Sequence, residues 1–207
     1  MQDYRVHFKL RDGTYEKVPY FSLPANDLTD VIAPSCMSCF LYPNDLADIV
    51  VGYMGAPYDG TAEMDTHYQS VIVRNDNGKF MLDVLKQHNR VDIAPPASKA
   101  GLLRRAGLVL QTVQAEDAAK RGQGPEGNPP RVVAELLAWL LTTLGPQGLE
   151  FAKYSIEYHY LRNLIHVRRH WSADKARRHI PEHARRIDAK FDGVVDRLAR
   201  LPSEPWW

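Results

Sequence analysis

Leu149–His170 reads LEFAKYSIEYHYLRNLIHVRRH, and this stretch decides the architecture. Tyr154, Tyr158, Leu161 and Ile165 recur at steps of three and four, and so do His159, Arg162, His166 and Arg169. That is the period of an α-helix, so one helix carries an apolar stripe beside a basic one. Upstream, Val133, Leu136, Leu137, Leu140 and Leu144 fall on one face of another helix, which Gly145-Pro146 stops. Downstream, Ala173–Leu201 is a third helical region, and Pro181 forces a break or a fresh start within it.

Toward the N-terminus the period changes from helical to two. Tyr4–Leu10 (YRVHFKL) alternates apolar and polar residues, Arg11-Asp12-Gly13-Thr14 is a turn, and Tyr15–Tyr20 returns, so a β-hairpin is expected. Ala47–Met54 and Gln69–Arg74 are two more runs of strand length. Lys79–His88 places Phe80, Val84 and Leu85 on one helical face. Residues 90–130 are rich in Pro and Gly and read as a long connection with one short strand at Gly107–Val113. The class is α+β: a small N-terminal sheet with a CxxC loop, followed by a helical C-terminal region. The expected divisions are 1–90 for the sheet-containing part, 91–130 for the irregular connection and 131–207 for the helical region.

Composition narrows the class without fixing a function. The 207 residues are 44% hydrophobic and 25% charged, ordinary for a globular chain and unlike a disordered one. Lys plus Arg is 26 against 25 for Asp plus Glu, a balance that gives no nucleic-acid signature. No apolar run is long enough to be a transmembrane segment, and the N-terminus lacks the order of a signal peptide. Two Cys make no disulfide framework. Charge is unevenly spread, because residues 151–207 hold 12 basic and 7 acidic side chains with five of the eight His. Such a segment is either a solvated basic face or a surface for an acidic partner or ligand.

Cys36-x-x-Cys39 is the sharpest local signal. Cys at i and i+3 in a Pro-containing loop can direct two thiolates at one zinc ion or iron–sulfur cluster, form a redox pair, or be two ordinary buried Cys. A metal or cluster needs two more ligands, and His7 or His67 is available in principle. Gly52 and Gly55 end the Ala47–Met54 strand in a turn that lets a cofactor approach the backbone closely, or in a plain tight turn. Arg74, beside Asn75 at the end of the next strand, can pair with a phosphate or carboxylate or lie on the surface. The stripe His159, Arg162, His166 and Arg169 is either a solvated edge or a face that holds a carboxylate-bearing ligand, with a His as proton donor.

Four stretches carry a family resemblance: MQDYRVHFK at 1–9, VPYFSLPANDLTDVIAPSCMSCFLYPNDLADIVVGYMG at 18–55, VIVRNDNGKFML at 71–82, and GPQGLEFAKYSIEYHYLRNLIHVRRHW at 145–171. Together they resemble the β-subunit family of deazaflavin-coenzyme hydrogenases and dehydrogenases, and within it the chlorophyll-metabolism branch. The resemblance implies an oxidoreductase with FAD and 4Fe-4S clusters that takes electrons from ferredoxin. It also implies a tetrapyrrole substrate reduced at an 8-vinyl or a 7-hydroxymethyl group. On that view Cys36 and Cys39 are metal ligands with a partial set. Gly52, Gly55, Arg74 and Asn75 contact the flavin, Arg162 and Arg169 hold the substrate's carboxylate, and His159 and His166 are catalytic.

Full-length members of the family are roughly twice as long, so the chain is expected to begin at an internal Met of the pattern. It should then need a missing N-terminal half or a partner chain, and be inactive alone. The alternatives are a family member with another acceptor, or a non-catalytic remnant that binds a partner. The expected place is bacterial cytoplasm or plastid stroma, as a soluble or membrane-peripheral protein.

Overall fold

β1 (Arg5–Lys9) and β2 (Tyr15–Pro19) form the expected antiparallel hairpin, with Val6 opposite Val18. Its turn is closed by Leu10 N–H to Thr14 O at 2.8 Å, and Asp12 accepts from the Thr14 amide and hydroxyl. The computed structural model describes residues 4–23, 32–42, 44–56, 67–96, 98–123 and 127–202. A second antiparallel pair, β3 (Ile49–Gly52) and β4 (Ser70–Val73), follows, with Ile49 opposite Val73. Between the two pairs lies α1 (Pro34–Met37), a single helical turn.

α2 (Asp76–Gln87) starts at Asn75, whose side chain accepts from Gly78 N–H at 3.0 Å, an N-cap of the usual Asx type. Gly78 has no room for a side chain, since a Cβ there would sit 2.2 Å from the Asp48 carbonyl oxygen. The α2 backbone is thereby packed directly onto the start of β3.

α3 (Arg105–Lys120) replaces the expected strand at Gly107–Val113. The run LVLQTV is short and apolar, and at that length a strand and a helix segment look alike. Ala115, Ala118 and Ala119 extend it as a helix. Val109, Val113 and Asp117 are then buried at steps of four.

α4 (Arg131–Leu144) ends at Gly145 as expected, but its buried residues are Ala134 and Ala138. Leu136 and Trp139, at 60% and 58% exposure, face outward. The small side chains let α4 lie close against the β1–β2 hairpin, and Arg5 joins the two through Glu135 at 2.6 Å. A two-residue antiparallel bridge, β5 (Ser98–Lys99) with β6 (Gln147–Gly148), leads into the long helix.

That helix, α5 (Leu149–His170), has 22 residues and is about 33 Å long. Glu150 in its first turn and Arg168, Arg169 and His170 in its last suit the helix dipole. α6 (Ala173–His179), α7 (Glu182–Asp188) and α8 (Val194–Ala199) wrap one flank, and Pro181 caps the start of α7. α3 covers another flank in parallel, because Thr112 pairs with Tyr154, Glu116 with Tyr158 and Asp117 with Arg169. Leu161, Leu164 and Val167 are fully buried between these flanks with Val109, Val113, Ala184 and Val195. Each of these Leu and Val side chains contributes about 1.5–3 kcal/mol by its removal from water. α5 is therefore the axis on which α1, α3, the β5–β6 bridge and α6–α8 are mounted. Among the described residues no helix is long and apolar enough to cross a membrane.

Candidate functional site

Cys36 and Cys39 sit on α1 and the residues just after it, a helical turn where the sequence reading expected a loop. Pro34 at the first helical position, with its fixed φ, starts the turn. Cys36 N–H bonds Ala33 O at 2.8 Å, Ser38 N–H bonds Ser35 O at 3.3 Å, and Cys39 N–H bonds Cys36 O at 3.4 Å. The i to i+3 bonds set Cys36 and Cys39 one backbone turn apart. Both cysteines are free and exposed. Leu41 N–H approaches Cys39 Sγ at 3.4 Å.

The carbonyl side of this turn is tied down by other elements. Asn163 Nδ2 donates to Cys39 O at 2.6 Å and to Cys36 O at 3.2 Å. His179 on α6 donates to Ser38 O at 2.6 Å, and the Tyr160 hydroxyl donates to Phe40 O at 3.2 Å. The Phe40 ring stacks on Tyr160. Four carbonyls of residues 36–40 thus face protein, while the two sulfurs face out. Met37, between the cysteines, is buried. Among the described residues no group of three or more His, Cys, Asp or Glu is arranged for a metal.

The stripe on α5 is a half-buried, internally partnered face and not a solvated edge. His159 lies between Tyr42 and Tyr158, with its ring centroid 4.1 Å from the former. Its Nδ1 is buried without a hydrogen-bond partner. Burial, aided by the Arg162 charge, lowers the His159 pKa to about 4. Burial and the neighbouring His170 do the same for His166, also to about 4. Both imidazoles are therefore neutral near pH 7, in place of the half-titrated proton donors that an unperturbed His would supply.

Arg169 is already engaged: it pairs with Asp117 at 2.8 Å and donates to Leu198 O at 2.6 Å. Arg121 shares the same Asp117 carboxylate. Arg162 donates through Nε to Asn163 Oδ1 at 3.2 Å and lies over the Tyr158 ring. Arg162, His166, Lys120 and Met37 line a cleft between α3 and α5 whose cavity volume is about 20 Å³. That is space for roughly one water molecule.

The glycine turn packs at the start of α5, while Arg74 at the β4–α2 junction lies, like Cys39, close enough to Tyr160 to act on its charge. Gly52 is open on its side-chain side. Gly55 has φ +80 and is pressed against Gly148 and Ala152, so packing alone requires a glycine there. The Asn75 side chain caps α2 and donates to Asp48 Oδ1 at 2.5 Å. Arg74 faces Asp45 at 3.8 Å, and Asp45 also meets His183 at 3.3 Å, whose ring lies beside Tyr160. Burial and the Asp45 charge push the Tyr160 phenol well up. The structure thus brings Cys36, Cys39 and Arg74 to the middle of α5, around Tyr160 and Asn163, while the stripe runs from His159 to the C-terminal end of that helix.

The sequence reading did not single out Asn163, Tyr160 or His179, the residues that hold the cysteine turn. One signal was present: an Asn amid an apolar run in mid-helix is disfavoured unless its amide has work to do.

Residues 2–99 match the family model for the C terminus of the coenzyme F420 hydrogenase/dehydrogenase beta subunit. The chain is 49% identical over 192 residues to 7-hydroxymethyl chlorophyll a reductase, chloroplastic, of Oryza sativa subsp. japonica. It is 43% identical over 191 residues to an uncharacterized protein of Nostoc sp.. These matches cover 93% and 92% of this chain, but the chain spans only 40% and 43% of those relatives.

Proposed function

The chain belongs to the coenzyme F420 hydrogenase/dehydrogenase beta-subunit family, and from that membership we propose a function for it. It is the C-terminal part of a flavin and iron–sulfur oxidoreductase that reduces a chlorophyll-type tetrapyrrole with electrons from ferredoxin. The observation that carries the proposal is the exposed Cys36–Cys39 turn, held by Asn163, Tyr160 and His179 beside the basic stripe. Two exposed thiols one backbone turn apart fit two corners of a 4Fe-4S cluster, with the remaining ligands from outside this turn. Gly52 is open to FAD on its side-chain side and Arg74 would meet it from beside Asp45, whereas Gly55 and Asn75 are accounted for by packing and capping. When bound, a cluster relays single electrons and a flavin collects pairs of them.

This chain's own residues then divide the remaining work. Arg162 offers its terminal nitrogens to a carboxylate arm of the substrate, a charge-assisted contact of about 1.5–3 kcal/mol. Arg169, committed to Asp117, holds the helices that frame the cleft. The cleft is too small to admit either the arm or the macrocycle, so the substrate is held at its mouth. His166 and His159, neutral at pH 7, orient the substrate by N–H donation. The working place is plastid stroma or bacterial cytoplasm, consistent with the chloroplastic rice relative.

A second reading, a chain that only binds a partner polypeptide, is favoured by the outward Leu136 and Trp139 of α4. Anaerobic reconstitution with ferrous iron, sulfide and FAD separates the two. It is done with the chain alone and with a polypeptide supplying the remaining length of the relatives. The reductase reading expects flavin bands and a broad visible iron–sulfur absorption in the pair, the latter lost in Cys36→Ser and Cys39→Ser. A stable complex with neither absorption would leave the partner-binding reading.

A further inference from the structure

Asn163 stands in the middle of the most buried stretch of α5 and is itself 3% exposed. A buried amide needs partners on both of its ends. Asn163 finds them in opposite kinds of group. Its Nδ2 faces the carbonyls of Cys36 and Cys39, which can only accept. Its Oδ1 faces the Nε–H of Arg162, which can only donate. The orientation of the amide is therefore determined: turned by 180°, it would set oxygen against two carbonyl oxygens and nitrogen against a guanidinium.

The two carbonyls belong to the first and last residues of the C-x-x-C unit. One amide thus clamps both ends of that unit onto a single point of α5. The sulfurs carry no such restraint except the Leu41 amide at Cys39. Their separation is inherited from the backbone that Asn163 holds.

We propose that Asn163, oriented by Arg162, is the positioning residue that keeps Cys36 and Cys39 at chelating separation before any ligand arrives. This rests on reading the two cysteines as ligands of one metal centre. It assigns to Arg162 a role distinct from any substrate contact, exerted through its Nε while its terminal nitrogens stay available.

Phenylarsine oxide tests the point on the chain itself. Its arsenic(III) bonds two thiols at once with loss of water, and only when the sulfurs are close. Alkylation by iodoacetamide reports single-thiol accessibility independently. The wild-type chain should bind one arsenical. Asn163→Asp keeps the size and the Arg162 contact but loses both donors, and should weaken capture roughly 10–100-fold, the usual cost of removing an outer-shell partner. Alkylation should change little. Asn163→Gln, which keeps the donors, should recover part of the loss, and Arg162→Leu should weaken capture by a smaller factor. No capture by the wild-type chain would overturn the reading of the cysteines as a chelating pair. Capture by the wild type with equal capture by Asn163→Asp would overturn the positioning role alone. Should Asn163→Asp lose helical circular dichroism, Arg162→Leu decides: unchanged capture in that folded variant refutes the proposal.

Discussion

Replacing Asp117 by Asn should be among the most damaging single changes to this chain. The Asp117 carboxylate is 4% exposed and accepts from Arg121 Nε at 2.9 Å, while Arg169 lies 2.8 Å away. Exposed ion pairs contribute about 0–1 kcal/mol, but a buried pair broken on one side costs about 3–5 kcal/mol because the other charge is stranded. The exposures decide for the second case, since the Arg169 side chain is only 9% exposed and its Nε already lacks a partner. After the substitution its charge is left with the Leu198 carbonyl alone. Against a total stability of about 5–15 kcal/mol for a typical domain, that is a large share. Urea unfolding followed by far-UV circular dichroism measures it. The double variant Asp117→Leu/Arg169→Leu strands no charge at position 169 and should recover much of the loss. A cost below about 1 kcal/mol for Asp117→Asn would refute the reasoning, because it would mean the clamp behaves as a surface pair.

Two further expectations concern pH and packing. His159 and His166 titrate near 4 in the folded chain and near 6.5 when unfolded, so the unfolded state binds more protons between those values. Stability is therefore full above about pH 6.5 and falls as pH drops toward 4, and His166→Gln should flatten a urea-midpoint profile between pH 6.5 and 5; an unaltered slope would contradict the burial of that ring. Gly78→Ala would set a Cβ 2.2 Å from the Asp48 carbonyl oxygen, so α2 must move off β3, and thermal unfolding should show a loss of at least about 1–3 kcal/mol; an unchanged midpoint would show that the helix start is freely adjustable.

Much of the fold was legible where period and punctuation agree. The hairpin at Arg5–Pro19 announces itself by alternation plus Asp12-Gly13, and α5 by its double stripe between Gly148 and Trp171. α3 was not legible, because LVLQTV suits strand and helix equally and only contact with Tyr154, Tyr158 and Arg169 on α5 selects the helix. The site was legible as residue types but not as arrangement. The spacing of Cys36 and Cys39 is local, and so is the stripe. That Asn163 would span 124 residues to reach Cys39 is information held only in the packing. The same holds for Arg169: its position on the stripe suggested a ligand contact, and only the burial of Asp117 opposite reveals its internal partner.

The clamp between Asn163 and the cysteines also sets an order of events during synthesis. Cys36 and Cys39 leave the ribosome well before Asn163 exists, since the two bonds span 127 and 124 residues of chain. At about 5–20 residues per second, the thiols wait roughly 6–25 s without the element that arranges them. Through that interval they are two reactive groups on an unanchored turn, open to oxidation or to capture by the wrong metal. On the proposed reading of the cysteines as ligands, loading of a metal centre here is a late step, timed by completion of α5. A cell that makes this protein would then protect the early thiols or deliver the inorganic component only after translation has passed the long helix.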